Sequence, residues 1–123
     1  MFFTFEKTNT MKKVLVLGAS TNEERISNTA IQRLRKHGYD VEAVGLKTGL
    51  VADVEIKTGM PTLANIDTVT MYVGAKNQPQ FYDYIINLQP RRVIFNPGSE
   101  NDEFEKMLYT DQSLGRGIVG YKK

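Results

Sequence analysis

The 123-residue chain contains no cysteine and no tryptophan, and only one histidine. The absence of cysteine excludes disulfides, thiol nucleophiles and Cys-ligated metals. No other metal-ligand spacing appears. Charge of one sign is lacking too. Sixteen basic residues stand against 14 acidic ones, for a formal net charge of +2, and no dense basic stripe stands out, so nucleic acid is not an expected partner. No apolar run approaches the roughly 20 residues needed to span a bilayer, which argues against a membrane. The opening "MFFTFEKTNT" has too short an apolar stretch for a signal-peptide core and carries an acid where a basic region belongs. The chain therefore reads as cytoplasmic.

What is present is an ordinary globular composition, 41% hydrophobic and 24% charged, of a length that suits one domain over residues 1–123. Met11 opens the more typical start "MKKVLVLG", so residues 1–10 are expected as a flexible extension, frayed or laid on the surface by Phe2, Phe3 and Phe5. No repeats or low-complexity segments occur. Val14–Leu17 is a continuous aliphatic run ending at Gly18, the pattern of a strand covered on both faces. Ile31 and Leu34 set a helical period from Ser27 to His37, closed by Gly38 as the residue after the cap, with Arg33, Arg35 and Lys36 at the favourable end of the dipole. Val41–Val44 is a second strand, and Val54–Ile56 a short edge piece. Thr68–Gly74 is a third main strand. Asn77 and Gln80 form a capping box for a helix to Leu88. Arg92–Phe95 is a fourth strand, and Ser99 with Asp102 forms a second box for a helix to about Tyr109. "GIVGY" in the tail offers one last strand, a poor one because of its glycines. Strands alternating with helices predict an α/β, Rossmann-like doubly wound, mainly parallel sheet with helices on both faces.

Ligands of such sheets sit beyond the carboxyl ends of the strands. The first exit supplies Gly18, Ala19, Ser20, Thr21, Asn22, Arg25, Ser27 and Asn28. The second supplies Gly45, Leu46 and Lys47, the third Gly74, Ala75, Lys76 and Asn77, and the fourth Asn96, Pro97 and Gly98. These residues are mostly small, hydroxylic, amide or basic, and no acid directly follows a strand. Helix N-termini at the same rim favour an anion such as a pyrophosphate. Taken singly, each has a plain structural role: a tight turn at "GAS", helix caps at Ser27, Asn77 and Ser99, a solvated charge at Lys47. Their convergence at one sheet edge is what points to a nucleotide. An NAD site would place an acid after the second strand to hold the ribose diol. Gly45-Leu46-Lys47 stands there instead, and the first turn lacks the G-x-G-x-x-G glycines. A lysine suits a ribose bearing its own phosphate, as in NADP or coenzyme A.

At this point the chain resembles the small stand-alone CoA-binding domain proteins, akin to the CoA-binding domain of succinyl-CoA synthetase. The resemblance runs from about Lys12 to Leu108, on "GAS" with N-x-x-R-x-S-N (Asn22, Arg25, Ser27, Asn28), "KHGYDV", the lysine of the second exit, "KNQPQFYDYI" and "IFNPGSEN". It implies a Rossmann-like fold holding the ADP part of CoA or an acyl-CoA across the first three strand exits, and no established reaction. By position it implies Gly18, Ala19 and Ser20 near the pyrophosphate, Arg25 paired with a phosphate, and Lys47 near the adenosine end. It also matches Gly74–Asn77 and Asn96-Pro97-Gly98 to the third and fourth exits. The chain departs from the family pattern in "GLKTGLV", where asparagine-proline-lysine is usual, and in "GRGIVGYKK", where a final strand often carries a cysteine.

For catalysis, a base with a suitable pKa or a partnered nucleophile is wanted. His37 falls at a helix C-terminus away from the strand exits, and Glu100, Asp102 and Glu103 have a sufficient role in a helix's first turn. The expectation is a binding protein for a small-molecule nucleotide, with no catalytic residue. The alternatives are an NADP-dependent oxidoreductase or redox sensor, and a structural domain that binds no nucleotide. Tyr72, Tyr82, Tyr84 and Tyr109 serve either core packing or a homodimer surface.

Overall fold

A computed structural model describes residues 12–110 and 119–121; the expected N-terminal extension lies outside them. Among the described residues seven strands form one sheet: β1 (Lys13–Ala19), β2 (Asp40–Gly45), β3 (Gly49–Val51), β4 (Val54–Lys57), β5 (Thr68–Met71), β6 (Arg92–Phe95) and β7 (Val119–Tyr121). Their order is β3-β4-β2-β1-β5-β6-β7. Every pairing is parallel except β3 with β4. The chain winds outward from β1 through β2, then returns to β5 on the other side, so winding reverses between β1 and β5. This is the Rossmann-like α/β arrangement that the alternation of elements predicts.

The aliphatic run of β1 is central because it is apolar on both faces. Leu15 and Leu17 join Val44, Val69, Met71 and Val93 in one core; Val16 and Ala19 join Ala43, Ile56 and Ile31 in the other. Each fully buried aliphatic contributes roughly 1.5–3 kcal/mol on leaving water. Helix α1 (Ile26–Lys36) covers the second core, and α2 (Tyr82–Leu88) and α3 (Asp102–Thr110) cover the first through Ile85, Phe104 and Leu108. The sheet thus has helices on both faces.

α1 ends as its sequence dictates. Gly38 adopts φ 84°, the Tyr39 N–H donates to the Leu34 carbonyl and the Gly38 N–H to that of Arg35, both at 3.0 Å. Arg35 then reaches back as a fork to both carboxylate oxygens of Asp53, each at 2.8 Å, fastening α1 to the β3–β4 turn. Further along the same amino-terminal edge of the strands, Asp67 ties the start of β5 to the start of β6. Its carboxylate accepts from Arg91 Nε at 2.9 Å and from the Thr68 hydroxyl at 2.7 Å, and its carbonyl accepts from the Arg91 N–H at 2.8 Å. Burial pushes the Asp67 pKa up, but the Arg91 and Thr68 hydrogen bonds and the charges of Arg91 and Lys12 outweigh it and hold the carboxyl below its ordinary value.

Three local expectations are corrected. The first concerns residues 77–88, which do not form one helix. The Phe81 N–H, which an α-helix would give to the Asn77 carbonyl, donates to that of Gln78 at 2.7 Å, and the chain closes by such shorter bonds into 3-10 turns over Ala75–Asn77 and Pro79–Phe81 before α2 begins. Asn77 caps nothing with its side chain, and Gln80 Nε2 instead lies 3.3 Å from the Asn77 carbonyl. Ser99 likewise does not cap α3; its hydroxyl donates to the Asn96 carbonyl at 2.7 Å, while Asn101 Oδ1 takes the Phe104 N–H at 3.0 Å. Ser27 lies buried inside α1, and the cap position falls on Arg25. Two further strands complete the sheet: β3, which was not anticipated, and β7 at the expected "GIVGY".

Candidate functional site

The reversal between β1 and β5 opens a cleft of about 800 Å³ at the carboxyl ends of β1, β2, β4 and β5. Its floor depends on two glycines. At the end of β1 two residues, Gly18 and Ala19, stand opposite one step of β2. Gly18 takes φ 104°, and a Cβ there would come within 2.9 Å of the Tyr72 carbonyl carbon. This bulge re-aims the last residues of β1 toward the cleft. Across from it, a Cβ on Gly45 would overlap the Ala19 carbonyl oxygen, so the first two exits meet only because residue 45 has no side chain.

The β1–α1 loop is shaped by its own polar groups. Ser20 Oγ accepts from the Asn22 N–H at 3.0 Å, and Asn22 Oδ1 accepts from the Glu24 N–H at 2.9 Å. Buried Asn28 donates from Nδ2 to the Ser20 carbonyl at 2.9 Å and accepts from Gln32 Nε2 at 2.6 Å. The loop delivers Arg25 to the cap position of α1, where no side chain caps the helix and no acid occupies the first turn. The positive end of the helix dipole and a guanidinium therefore face the cleft together, and Lys47 adds a second cation from the β2 exit. Among the described residues no carboxylate lines the cavity. The ion pairs with displaced pKa values, Arg35 with Asp53 and Arg91 with Asp67, lie outside it.

The structure brings Gly18, Ala19, Ser20, Thr21, Asn22, Arg25, Gly45, Leu46, Lys47, Gly74 and Asn77 to this cavity. Ser27 and Asn28 lie behind it, buried in α1. Lys76 is exposed and does not line it. Asn96, Pro97 and Gly98 do not line it either. The β6 exit turns away because Asn96 Nδ2 is committed to Thr70 Oγ1 at 2.8 Å and to the Met71 carbonyl at 2.9 Å. Sequence reasoning missed a fourth wall, Thr58-Gly59-Met60, and the flanking Tyr72, Val73, Gln80 and Phe81. The signal was available in Val54–Lys57, which runs parallel beside β2 and so sends its exit to the same rim. His37 lies at the C-terminus of α1, with Nδ1 2.9 Å from the Arg33 carbonyl. Among the described residues no group of three or more His, Asp or Glu could hold a metal ion. Among them, too, no helix is long and apolar enough to cross a membrane.

Comparison with known proteins gives a consistent result. The model of a family described as a CoA binding domain matches residues 12–114. A solved structure of an uncharacterized protein is 41% identical over 89% of each chain, with a TM-score of 0.80. A hypothetical protein from Pyrococcus horikoshii OT3 is 27% identical over 94% of this chain and 80% of that one, with a TM-score of 0.74. A likeness of fold alone extends to the dinucleotide forming acetyl-coenzyme A synthetase 1 of Ca. Korarchaeum cryptofilum, solved in complex with phosphate and ADP. That match is 16% identical, with a TM-score of 0.69, over 91% of this chain and 26% of that one. No curated protein matches the chain.

Proposed function

The chain belongs to the CoA-binding domain family, and on that premise we propose that it binds coenzyme A or an acyl-CoA by the 3′-phospho-ADP end in the cleft above β1, β2, β4 and β5. The observation that carries this reading is the charge pattern of the cavity: an uncapped helix N-terminus, Arg25 and Lys47, with no carboxylate among the described lining residues. A dianionic pyrophosphate is favoured by the first two, since guanidinium matches phosphate in two-point geometry. Lys47 suits the additional phosphate of the ribose, and the missing acid at the β2 exit disfavours a bare ribose diol. Val44, Leu46, Met60, Val73 and Phe81 give the same cleft an apolar part, which suits an adenine face and the uncharged stretch of pantetheine.

Within this proposal the protein is a cytoplasmic binding module. Its cleft offers phosphate and ring contacts, and its histidine stands at the far end of α1. A thermal-shift panel of CoA, dephospho-CoA, acetyl-CoA, NAD, NADPH and ATP tests it. At a hundredfold excess over Kd a ligand stabilises by about 2.7 kcal/mol, which for a domain of this size raises Tm by roughly 10–20 °C. CoA and acetyl-CoA should reach that shift, dephospho-CoA should fall well short, and NAD should give little. A larger shift with NADPH than with CoA would move the assignment to NADP. No shift with any nucleotide would overturn binding altogether.

A further inference from the structure

The segment "NPGSEN", Asn96–Asn101, stands at a strand exit yet spends its polar groups on neighbouring protein atoms rather than on the cleft. Asn96 bonds β5, Ser99 Oγ bonds the Asn96 carbonyl, and Glu100 Oε1 accepts from the Gly98 N–H at 2.9 Å. The remaining members converge on Gln78, which is fully buried although its neighbours Asn77 and Gln80 line the cleft. Gln78 Nε2 donates to the Val73 carbonyl and to the Ser99 carbonyl, both at 2.8 Å. Its Oε1 accepts from Asn101 Nδ2 at 2.8 Å, and the same Nδ2 donates to the Tyr82 hydroxyl at 2.9 Å. Asn101 Oδ1 caps α3 through the Phe104 N–H. Every amide donor of both side chains is used, so neither amide can flip without setting oxygen against oxygen.

This network spans two strand exits. Val73 ends the β5 side, Ser99 and Asn101 belong to the β6–α3 turn, and Gln78 holds one to the other from behind the cleft wall formed by Gly74, Asn77, Gln80 and Phe81. That wall has only 3-10 turns to stabilise it and no side-chain caps. We infer that Gln78 and Asn101 are positioning residues: they lock the β5-side wall of the cleft, so the affinity of the site is set from the β6–α3 turn, a region that does not line the cleft. The affinity part of this inference rests on the CoA reading above; the lock itself does not.

Asn101→Ser tests it. Serine keeps a good helix cap but is too short to reach Gln78. Two readouts are needed, amide hydrogen exchange across residues 74–81 without ligand, and Kd for CoA by calorimetry. Exchange should quicken and CoA should bind roughly tenfold more weakly, the weight of one buried hydrogen bond of the stronger kind. Tyr82→Phe removes the second Asn101 contact and spares Gln78, and should leave both readouts near wild type. Asp67→Asn, at the far end of the sheet, lowers stability without touching the lock and should leave Kd for CoA within about twofold, as distant sites behave independently. Wild-type exchange in Asn101→Ser would overturn the lock. Faster exchange with unchanged CoA affinity, or equal loss of affinity in Asp67→Asn, would overturn its control of binding. A wild-type chain that binds no CoA would sink the functional reading, and exchange would still decide whether the lock holds the wall.

Discussion

Replacing Gly45 by alanine probes how the cleft is built. The added Cβ would overlap the Ala19 carbonyl oxygen, lie 3.0 Å from the Ala19 carbonyl carbon and 3.2 Å from Ile56 Cγ2. None of these neighbours is the free end of a flexible side chain. Ala19 is pinned by its bulged pairing with Gly45, and Ile56 is fully buried. Overpacking of this kind costs about 1–3 kcal/mol, and a rigid backbone neighbour puts Gly45→Ala at the upper end, about 3 kcal/mol. For a domain of this size that is a fall in Tm of roughly 10–20 °C. Gly74→Ala is the internal control, because residue 74 has φ −64° and its Cβ would meet only the Gly98 carbonyl oxygen at 3.9 Å. It should lie within about 0.5 kcal/mol of wild type. Urea denaturation followed by circular dichroism reads both, and an unchanged m value would show that only native stability moved. Equal stabilities for the two variants would refute the close approach of the β1 and β2 exits.

The binding residues should separate by ligand. Lys47→Ala should weaken CoA by about tenfold, as expected for one charge-assisted contact, and leave dephospho-CoA unchanged in calorimetry; equal losses for both would remove Lys47 from the ribose phosphate. Arg25→Ala should weaken CoA and dephospho-CoA alike, because both carry the pyrophosphate, and unchanged binding would remove that contact. Asp67→Asn should destabilise the chain at neutral pH. Since the folded carboxyl titrates below its ordinary value, its contribution is complete above the unfolded pKa of about 3.9. It is lost as pH falls through the folded value, so the gap between wild type and variant should close in acid; a gap constant down to pH 2 would contradict the pairing with Arg91. Phe104 is fully buried, stacks on Tyr82 at 4.2 Å and meets Phe95 edge-on at 6.0 Å. Phe104→Ala should cost about 3–5 kcal/mol in urea denaturation, and a loss under about 1 kcal/mol would refute its place in the core.

The strands that are apolar without interruption could be read directly. Val14–Leu17 announced β1, because burial on both faces leaves an unbroken aliphatic signature, and Arg92–Phe95 coincides with β6 through its apolar Val93, Ile94 and Phe95. The polar residues were harder, since their roles depend on partners distant in sequence. Asn77 and Ser99 had the right spacing for capping boxes, but residues 75–81 close as short 3-10 turns and Asn101 captured the cap of the second helix. Asn96 looked like a rim residue until its amide was found on β5. Val54–Ile56 looked like an edge piece. Only its parallel pairing with β2 reveals that Thr58, Gly59 and Met60 join the cleft. Local spacing thus located the rim, and long-range hydrogen bonds decided which residues face it.

The account's central claim is that the ligand lies on the rim where β1, β2, β4 and β5 end. The measurement that tests it most directly is a titration of the isotope-labelled protein with CoA followed by amide chemical shifts. Saturable changes should concentrate at Gly18–Thr21, Gly45–Lys47, Gly59–Met60 and Gly74–Asn77, with His37, Asp67 and Arg91 at the far ends of α1 and the sheet left in place. Saturable changes centred on Asp67 and Arg91, or no saturable change at millimolar CoA, would contradict it.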